Sequence, residues 1–589
     1  MGADFAVGAG DVWRSPVNFA FAAHILYNQG MFLPTTMDEV RALGWDALDV
    51  ILVTGDSYVD SPFIGAALIG KLLLRAGFRV GIIAQPEVQD VQRLGEPRLF
   101  WGVTAGSVDS MVANYTASGR KRKHDDYTPG GENVRRPDRA SIVYTNFIRR
   151  HYKNTRPIVL GGIEASLRRV AHYDFWSNSL RRSLLFDAKA DYLLYGMADL
   201  SVVELAQRLR DGAEVENLPG LCYITRQPPQ AYVHLPAYEA VVADKAAFIE
   251  MFHIFYRNND PLTAHGLVQQ HGDRWLVQNP PYRYPTQAEL DEIYGLEFER
   301  AQHPYYERIG PVKALETIRF SISTHRGCYG ECNFCAIAVH EGRTVRWRSA
   351  DSVLREARQI VQRSDFKGYL LDVGGPTANM YGYECAKKLK RGACEHRRCL
   401  FPEICPQMQP DHRPQMDLLE ALRKIPGVKK VFVASGVRYD LVLNDQQHGQ
   451  RYLETLVAHH VSGQLKVAPE HSEPHVLRRM GKPGVESLLK FKQRFDALNQ
   501  TVRKQQYLTY YLIAAYPGCS EADMRRMKRF VSEKLHVSPE QVQIFTPTPS
   551  TYASLMYYTE RDPWTGETLF VEKTTAGRER QKRIVVEGG

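Results

Sequence analysis

The segment His325-Arg-Gly-Cys328-Tyr-Gly-Glu-Cys332-Asn-Phe-Cys335-Ala-Ile-Ala-Val-His340-Glu-Gly-Arg343 decides how the rest of the chain is read. Three thiols fall within eight residues, directly after Thr317–Thr324, which reads as a strand. Thiols this close in sequence can curl around a metal centre, and Gly327 and Gly330 give the loop the freedom to do so. A cubane iron–sulfur cluster on three thiolates keeps one iron open, as in a catalytic rather than a closed structural site. A zinc knuckle completed by His325 or His340 is the alternative reading. Glu331 and Asn333 make the loop polar, which argues against thiols that merely fill a core.

Downstream of this loop, strands alternate with helices. Candidate strands are Gly368–Gly374, Lys430–Ala434, Gln464–Ala468, Tyr507–Ala514 and Val542–Phe545, six with Thr317–Thr324. Between the first two, Val353, Ala357, Ile360 and Val361 recur on one helical face. Six strand–helix repeats predict a partial (β/α)6 barrel over residues 307–556, with its site at the C-terminal ends of the strands. Upstream, Leu48–Thr54, Arg79–Ala84, Leu99–Thr104, Pro157–Leu160 and Asp191–Tyr195 read as strands. Phe63–Arg75 reads as a helix stopped by Gly77. This predicts a doubly wound, Rossmann-like N-terminal domain over residues 1–226, so the fold class is α/β throughout. Residues 227–306, rich in Pro, Tyr and Asn, read as a connector, and residues 557–589 as a peripheral basic tail. The polar insertion Ser118–Arg139 reads as a solvated loop or as a cover over a phosphate or substrate.

The composition is that of a globular protein: 589 residues, 44% hydrophobic and 24% charged. Seventy-five basic and 66 acidic side chains give +9, too dilute to announce a nucleic-acid binder. No uncharged apolar run of about 18 residues is present, so no membrane-spanning helix is expected. Met1–Asp11 lacks Lys or Arg ahead of an apolar stretch and Arg14 follows, which speaks against a secretory leader. Seven of the nine cysteines lie between residues 328 and 405, pointing to metal ligation in a reducing compartment. The cytoplasm is therefore expected.

The pattern Cys-x3-Cys-x2-Cys, with Phe334 before the last cysteine, resembles the radical S-adenosylmethionine (SAM) superfamily. The longer quoted stretch is similar to its YgiQ-type proteins, as are Asp109-Ser-Met111, Tyr127-Thr-Pro-Gly-Gly131 and Pro376-Thr-Ala-Asn-Met-Tyr-Gly382. The resemblance covers most of the chain. It implies a [4Fe-4S] cluster on Cys328, Cys332 and Cys335, whose open iron takes the amino and carboxylate groups of SAM. It also implies reductive cleavage of SAM to a 5′-deoxyadenosyl radical that abstracts hydrogen from an unknown substrate. A flavodoxin- or ferredoxin-like electron donor is the expected partner, and no catalytic side chain is assigned.

Cofactor contacts follow from the same likeness and from strand-end chemistry. Phe334 flanks the triad. Gly374 and Gly375, in Asp372-Val-Gly-Gly-Pro-Thr377, would bare carbonyls to the SAM ammonium, although Pro376 stands where the superfamily usually has an acid. Ser435-Gly-Val-Arg438 would bring a guanidinium to the methionine carboxylate, or else Arg438 pairs with Asp440. Lys466-Val-Ala-Pro-Glu470-His471 resembles the ribose-contacting region, with Lys466, Glu470 and His471 as candidates.

Cys385, Cys394, Cys399 and Cys405 form a second group in an insertion over residues 376–413. It could hold an auxiliary iron–sulfur cluster or zinc, or consist of unliganded thiols. Interleaved Lys387, Lys388, Lys390, Arg391, Arg397 and Arg398 favour thiolates. Cys222 and Cys519 read as packed small residues. Ile158-Val-Leu-Gly-Gly162 and Asp191-Tyr-Leu-Leu-Tyr-Gly196 look like strands of cobalamin-binding domains. The Asp-x-His-x-x-Gly that supplies a lower histidine is absent, and Asp60-Ser-Pro-Phe-Ile-Gly65 holds no histidine. Cobalamin is therefore not expected, and a substrate- or partner-binding role is expected for this domain. Two rival functions remain. One is a methylthiotransferase-like modification of tRNA or protein, which the short C-terminal tail disfavours. The other is a non-catalytic metal-cluster protein that binds nucleic acid through its basic segments.

Overall fold

The computed structural model describes residues 32–539 and 542–587, so the stretch Met1–Arg14 lies outside the described residues. Every residue of Val50–Thr54 is buried, as befits a strand covered on both faces. It pairs in parallel with Val80–Ala84 on one side and Phe100–Thr104 on the other. Ile158–Gly161 and Tyr192–Leu194 follow in parallel. Taken in chain order these five strands lie 2-1-3-4-5, the flavodoxin-like doubly wound arrangement, whose ligand crevice opens where the order reverses, between the first and third strands. The helix Gly65–Arg75 buries eight of its 11 residues against this sheet, among them Leu68 and Leu72–Leu74.

Residues 227–306 are not a separate connector. Leu221–Thr225 turns the sheet antiparallel, and Arg274–Gln278, Leu267–His271 and Val233–Leu235 extend it to nine strands. These outer strands are three to five residues long and carry Gln, His and Arg, which hid the two-residue period from the sequence. The insertion Ser118–Arg139 carries a solvated basic run, Arg120–Lys123, and is anchored beyond it. Its Arg136 is buried, pairs with Asp56 at 2.8 Å and Asp125 at 3.1 Å, and donates to the Ala105 carbonyl at 2.6 Å.

The second half closes as a partial barrel of parallel strands. Ile322–Ser323 pairs with Val373–Gly374, and Tyr369–Leu370 with Lys430–Val431. Val437 bridges to Val467, and Gln464–Glu470, Tyr507–Ala514 and Val542–Ile544 complete the wall. The first strand is shorter than its sequence suggests, because Leu315–Ile318 forms a helical turn with Thr317 Oγ1 donating to the Ala314 carbonyl. The helix face Val353, Ala357 and Ile360 is buried as expected. The tail is not peripheral either. Its helix Thr575–Val586 packs on Glu521–Phe530, and buried Gln581 accepts from the Ala515 N–H and donates to the Cys519 carbonyl. Among the described residues no helix is long and apolar enough to cross a membrane.

The two halves are pinned by a buried ion pair. Arg326, at the entrance to the cysteine loop, makes two hydrogen bonds (2.6 and 3.1 Å) to Asp199, the first residue of the helix Asp199–Asp211 of the N-terminal domain. Removing one partner strands the other charge in a dry site, a loss of about 3–5 kcal/mol. Asp199→Ala should therefore lower the urea midpoint sharply, whereas Asp211→Ala, on an exposed residue of the same helix, should leave it near the parent value.

Candidate active site

The cysteine loop leaves the barrel after His325–Arg326 and returns at the turn Ile337–His340. Gly327 sits at φ +79°, and a Cβ there would meet the Thr344 carbonyl oxygen at 2.5 Å, so only glycine lets the loop start. Cys328 and Cys332 flank Gly330, whose missing side chain would touch their sulfurs at 3.2 and 3.6 Å. The Gly330 N–H donates to Cys328 Sγ at 3.3 Å, and Thr377 Oγ1 lies 3.4 Å from the same sulfur. Burial pushes the Cys328 and Cys335 thiols up, and Cys332 adds to both as a like charge. Thiols that burial holds neutral, as it does Cys328 and Cys335, become good ligands once a cation shares their charge.

Arg438 reaches the same loop. It is buried, binds Asp440 through Nε at 2.8 Å and Nη2 at 2.5 Å, and keeps Nη1 beside Gly330. Both sequence readings of Arg438 thus meet in one side chain, an ion pair with Asp440 and a guanidinium face turned toward the thiols. Phe334 is half-buried and meets Tyr516 edge-on at 6.4 Å.

A cleft of about 530 Å³ opens between the domains. Gly374, Gly375 and Ser435 line it from the barrel, together with Asp372, His325 and Glu341. Asp372 is a group that sequence reasoning passed over. Its carboxylate accepts the Ala434 and Ser435 amides at 2.8 and 3.2 Å and the Ser435 hydroxyl, and it places an acid in the cleft four residues before Pro376. The Gly374 carbonyl already accepts the Thr324 N–H at 2.7 Å, so one of its lone pairs belongs to the barrel. A Cβ on Gly375 would strike His325 Nε2 at 2.6 Å. That Nε2 faces the Thr377 carbonyl at 2.9 Å and must carry the proton, leaving Nδ1 to accept from Thr324 Oγ1 at 2.8 Å.

The fourth-strand candidates lie apart from this cleft. Lys466 is half-exposed, and its carbonyl accepts the Val437 N–H. Glu470 is buried at a β-bulge with φ +68°, its carboxyl raised by burial, with Lys482 Nζ at 3.7 Å. His471 turns to Cys519 Sγ at 3.4 Å and is lowered by burial to about 3. From the opposite side, Asp56, Gly106 and Ser107 bring the switch-point crevice of the N-terminal sheet into the same cleft.

Comparison with known proteins agrees with this geometry. The family described as Radical SAM N-terminal matches residues 32–321, and the Radical SAM superfamily matches residues 322–531. A UPF0313 protein of Fusobacterium nucleatum is 55% identical over 94% of this chain and 99% of its own length. One of Thermotoga petrophila is 48% identical over 94% and 98%. The chain is a UPF0313-type radical SAM protein. Membership brings SAM-dependent radical chemistry and enzymatic activity with it.

Solved structures similar to this radical SAM protein include two described with cobalamin. One is the radical SAM methyltransferase TsrM from Kitasatospora setae with cobalamin and a [4Fe-4S] cluster bound (TM-score 0.48, 14% identity, 87% of this chain and 78% of that one). The other is the cobalamin-dependent SAM radical enzyme OxsB with aqua-cobalamin bound (0.49, 10%, 92% and 62%). The expectation against cobalamin is corrected on the ground of this structure. It rested on the lack of a histidine in Asp60–Gly65, and that segment is structural here: Asp60 is buried against Lys71 at 3.2 Å and accepts the Glu299 N–H at 2.8 Å.

Burial lowers His325 to about 4, whereas an unfolded imidazole titrates near 6.5. Between those values the unfolded chain holds the extra proton, so this histidine's contribution is complete above about pH 6.5 and is lost as pH falls toward about 4. The urea midpoint of His325→Gln should decline less steeply than the parent's over that window. Identical slopes would mean that the imidazole is not held neutral in the fold.

Proposed function

We propose that this chain holds a [4Fe-4S] cluster through Cys328, Cys332 and Cys335 and binds SAM against the barrel wall formed by Gly374, Gly375 and Ser435. With electrons from an external low-potential donor it would cleave SAM to a 5′-deoxyadenosyl radical, which takes hydrogen from a substrate in the interdomain cleft. The observation that carries this reading is the gathering of Cys328 and Cys332 around Gly330, with Cys335 three residues on, in a loop whose two ends border the cleft. The cluster supplies the one-electron chemistry, and the chain's own residues do the positioning. Gly327 and Gly330 let the loop curl, Thr377 and the Gly330 amide hold Cys328, and Arg438 sets positive charge beside the sulfurs. Asp372 can accept an ammonium, while the apolar floor of Leu52, Val103 and Leu160 keeps the cleft dry around a reactive radical.

The crevice at the sheet's switch point is part of the proposal as the seat of a corrinoid. Gly106 lets the loop pass close over Asp56, since a Cβ there would meet Asp56 Oδ1 at 2.2 Å. Ser107 Oγ is buried beside it without a partner, which is how a donor waits for a ligand. No histidine of Asp60–Gly65 would take part.

Low-temperature EPR of the anaerobically reconstituted, dithionite-reduced protein tests the first site. The [4Fe-4S]⁺ signal should shift on addition of SAM, and an unshifted signal would sink the reading. For the crevice, the chain incubated with hydroxocobalamin and desalted should retain its absorbance stoichiometrically. Ser107→Tyr should lose that absorbance at unchanged iron content, and a parent chain that retains none would remove the corrinoid alone.

A further inference from the structure

The insertion after the second barrel strand folds back against the cysteine loop. Cys385, Cys399 and Cys405 collect there with Tyr329, Tyr383 and Leu400 in an apolar patch separate from the main core, and Cys328 packs against the same patch. The Cys405 N–H donates to the Cys399 carbonyl at 2.8 Å, closing a loop with a cysteine at each end. None of these thiols is in a disulfide. Cys394, on the same insertion, lines the neighbouring basic cleft with Arg398 and Arg478.

Charge provides an independent observation. Lys388 is only 3% exposed, and its Nζ lies 3.5 Å from Cys399 Sγ. The nearest carboxylate, Glu331, stands 3.7 Å from Lys388 but is shared with buried Arg343 at 3.6 Å. Half-buried Arg398 donates to the Glu331 carbonyl at 3.0 Å, and Asp260 acts on Arg343 from the other side. Lys388 Nζ, which also donates to the Arg343 carbonyl, is thus a buried ammonium set beside the Cys399 sulfur. Positive charge at that distance favours the thiolate that a metal centre binds.

The spacing separates two kinds of centre. Among the described residues no three of these sulfurs lie within 4.8 Å of one another. Tetrahedral zinc with bonds of about 2.3 Å draws its sulfurs to about 3.8 Å, so the wider set suits a cluster that spreads its ligands. We propose that Cys385, Cys399 and Cys405, with Cys394 as a fourth donor, bind a second iron–sulfur cluster behind Tyr329.

The test uses the full chain with Cys328, Cys332 and Cys335 all replaced by Ala, reconstituted anaerobically with ferrous iron and sulfide and desalted. It should keep about four iron and four sulfide, with a reduced EPR signal indifferent to SAM, against about eight of each in the parent. The complementary variant, Cys399→Ser with Cys405→Ser, should keep about four iron and the SAM-shifted signal, which also shows that it folds. A triple-Ala chain without iron beside a parent holding about four overturns the second site and leaves the first standing. Stoichiometric zinc instead of iron in that chain also overturns it, whereas a parent that binds no iron at all overturns the first reading.

Discussion

Everything around the cleft depends on the gathering of three sulfurs in one desolvated loop. Thiolates brought together in a dry site repel one another, and burial alone already holds Cys328 and Cys335 in their neutral form. Such a loop persists because its backbone is forced, by Gly327 against the Thr344 carbonyl and by Gly330 between two sulfurs. Positive charge is then stationed within reach: Arg438 against Gly330 on one side, Arg343 and Lys388 around Glu331 on the other. The loop thus runs between two positively charged flanks.

The second organising feature is that two sheets aim the C-terminal ends of their strands at one space. The barrel contributes Asp372, Gly374 and Ser435; the N-terminal sheet contributes its switch point at Asp56 and Gly106–Ser107. Ligands gather at such ends in open α/β sheets and in barrels for the same reason, since the loops there are free to carry chemistry while the strands hold them still. Arg326 and Asp199 clamp the arrangement where the cysteine loop begins, so the site and the domain interface share a residue neighbour.

Much of this was legible in the chain. The buried parallel strands Val50–Thr54 and Val80–Ala84 were readable because a strand covered on both faces is a continuous apolar run, and Tyr507–Ala514 because its burial alternates along a β-rich stretch. The extension of the first sheet through Val233–Leu235, Leu267–His271 and Arg274–Gln278 was not, since three- to five-residue strands with polar members carry no strong period. The helix Thr575–Val586 escaped for a related reason: it is held through buried Gln581 and Arg578, which look like surface residues in sequence. Asp372 and His325 stood inside quoted motifs, yet nothing local shows that one points into a cleft and the other backs Gly375.

The sequence by itself determined which thiols stand close along the chain, which glycines open the loop between them, and that strands alternate with helices, because spacing and residue type are properties of the chain. Only the tertiary structure decided the neighbours. Whether Glu470 and His471 face the site or turn to Lys482 and Cys519 depends on a bulge in the fourth strand. Whether Lys388 is a solvated cation or a buried one beside Cys399 depends on how an insertion packs. Those are long-range contacts, set by the balance of burial and charge across distant segments, and no local pattern encodes them.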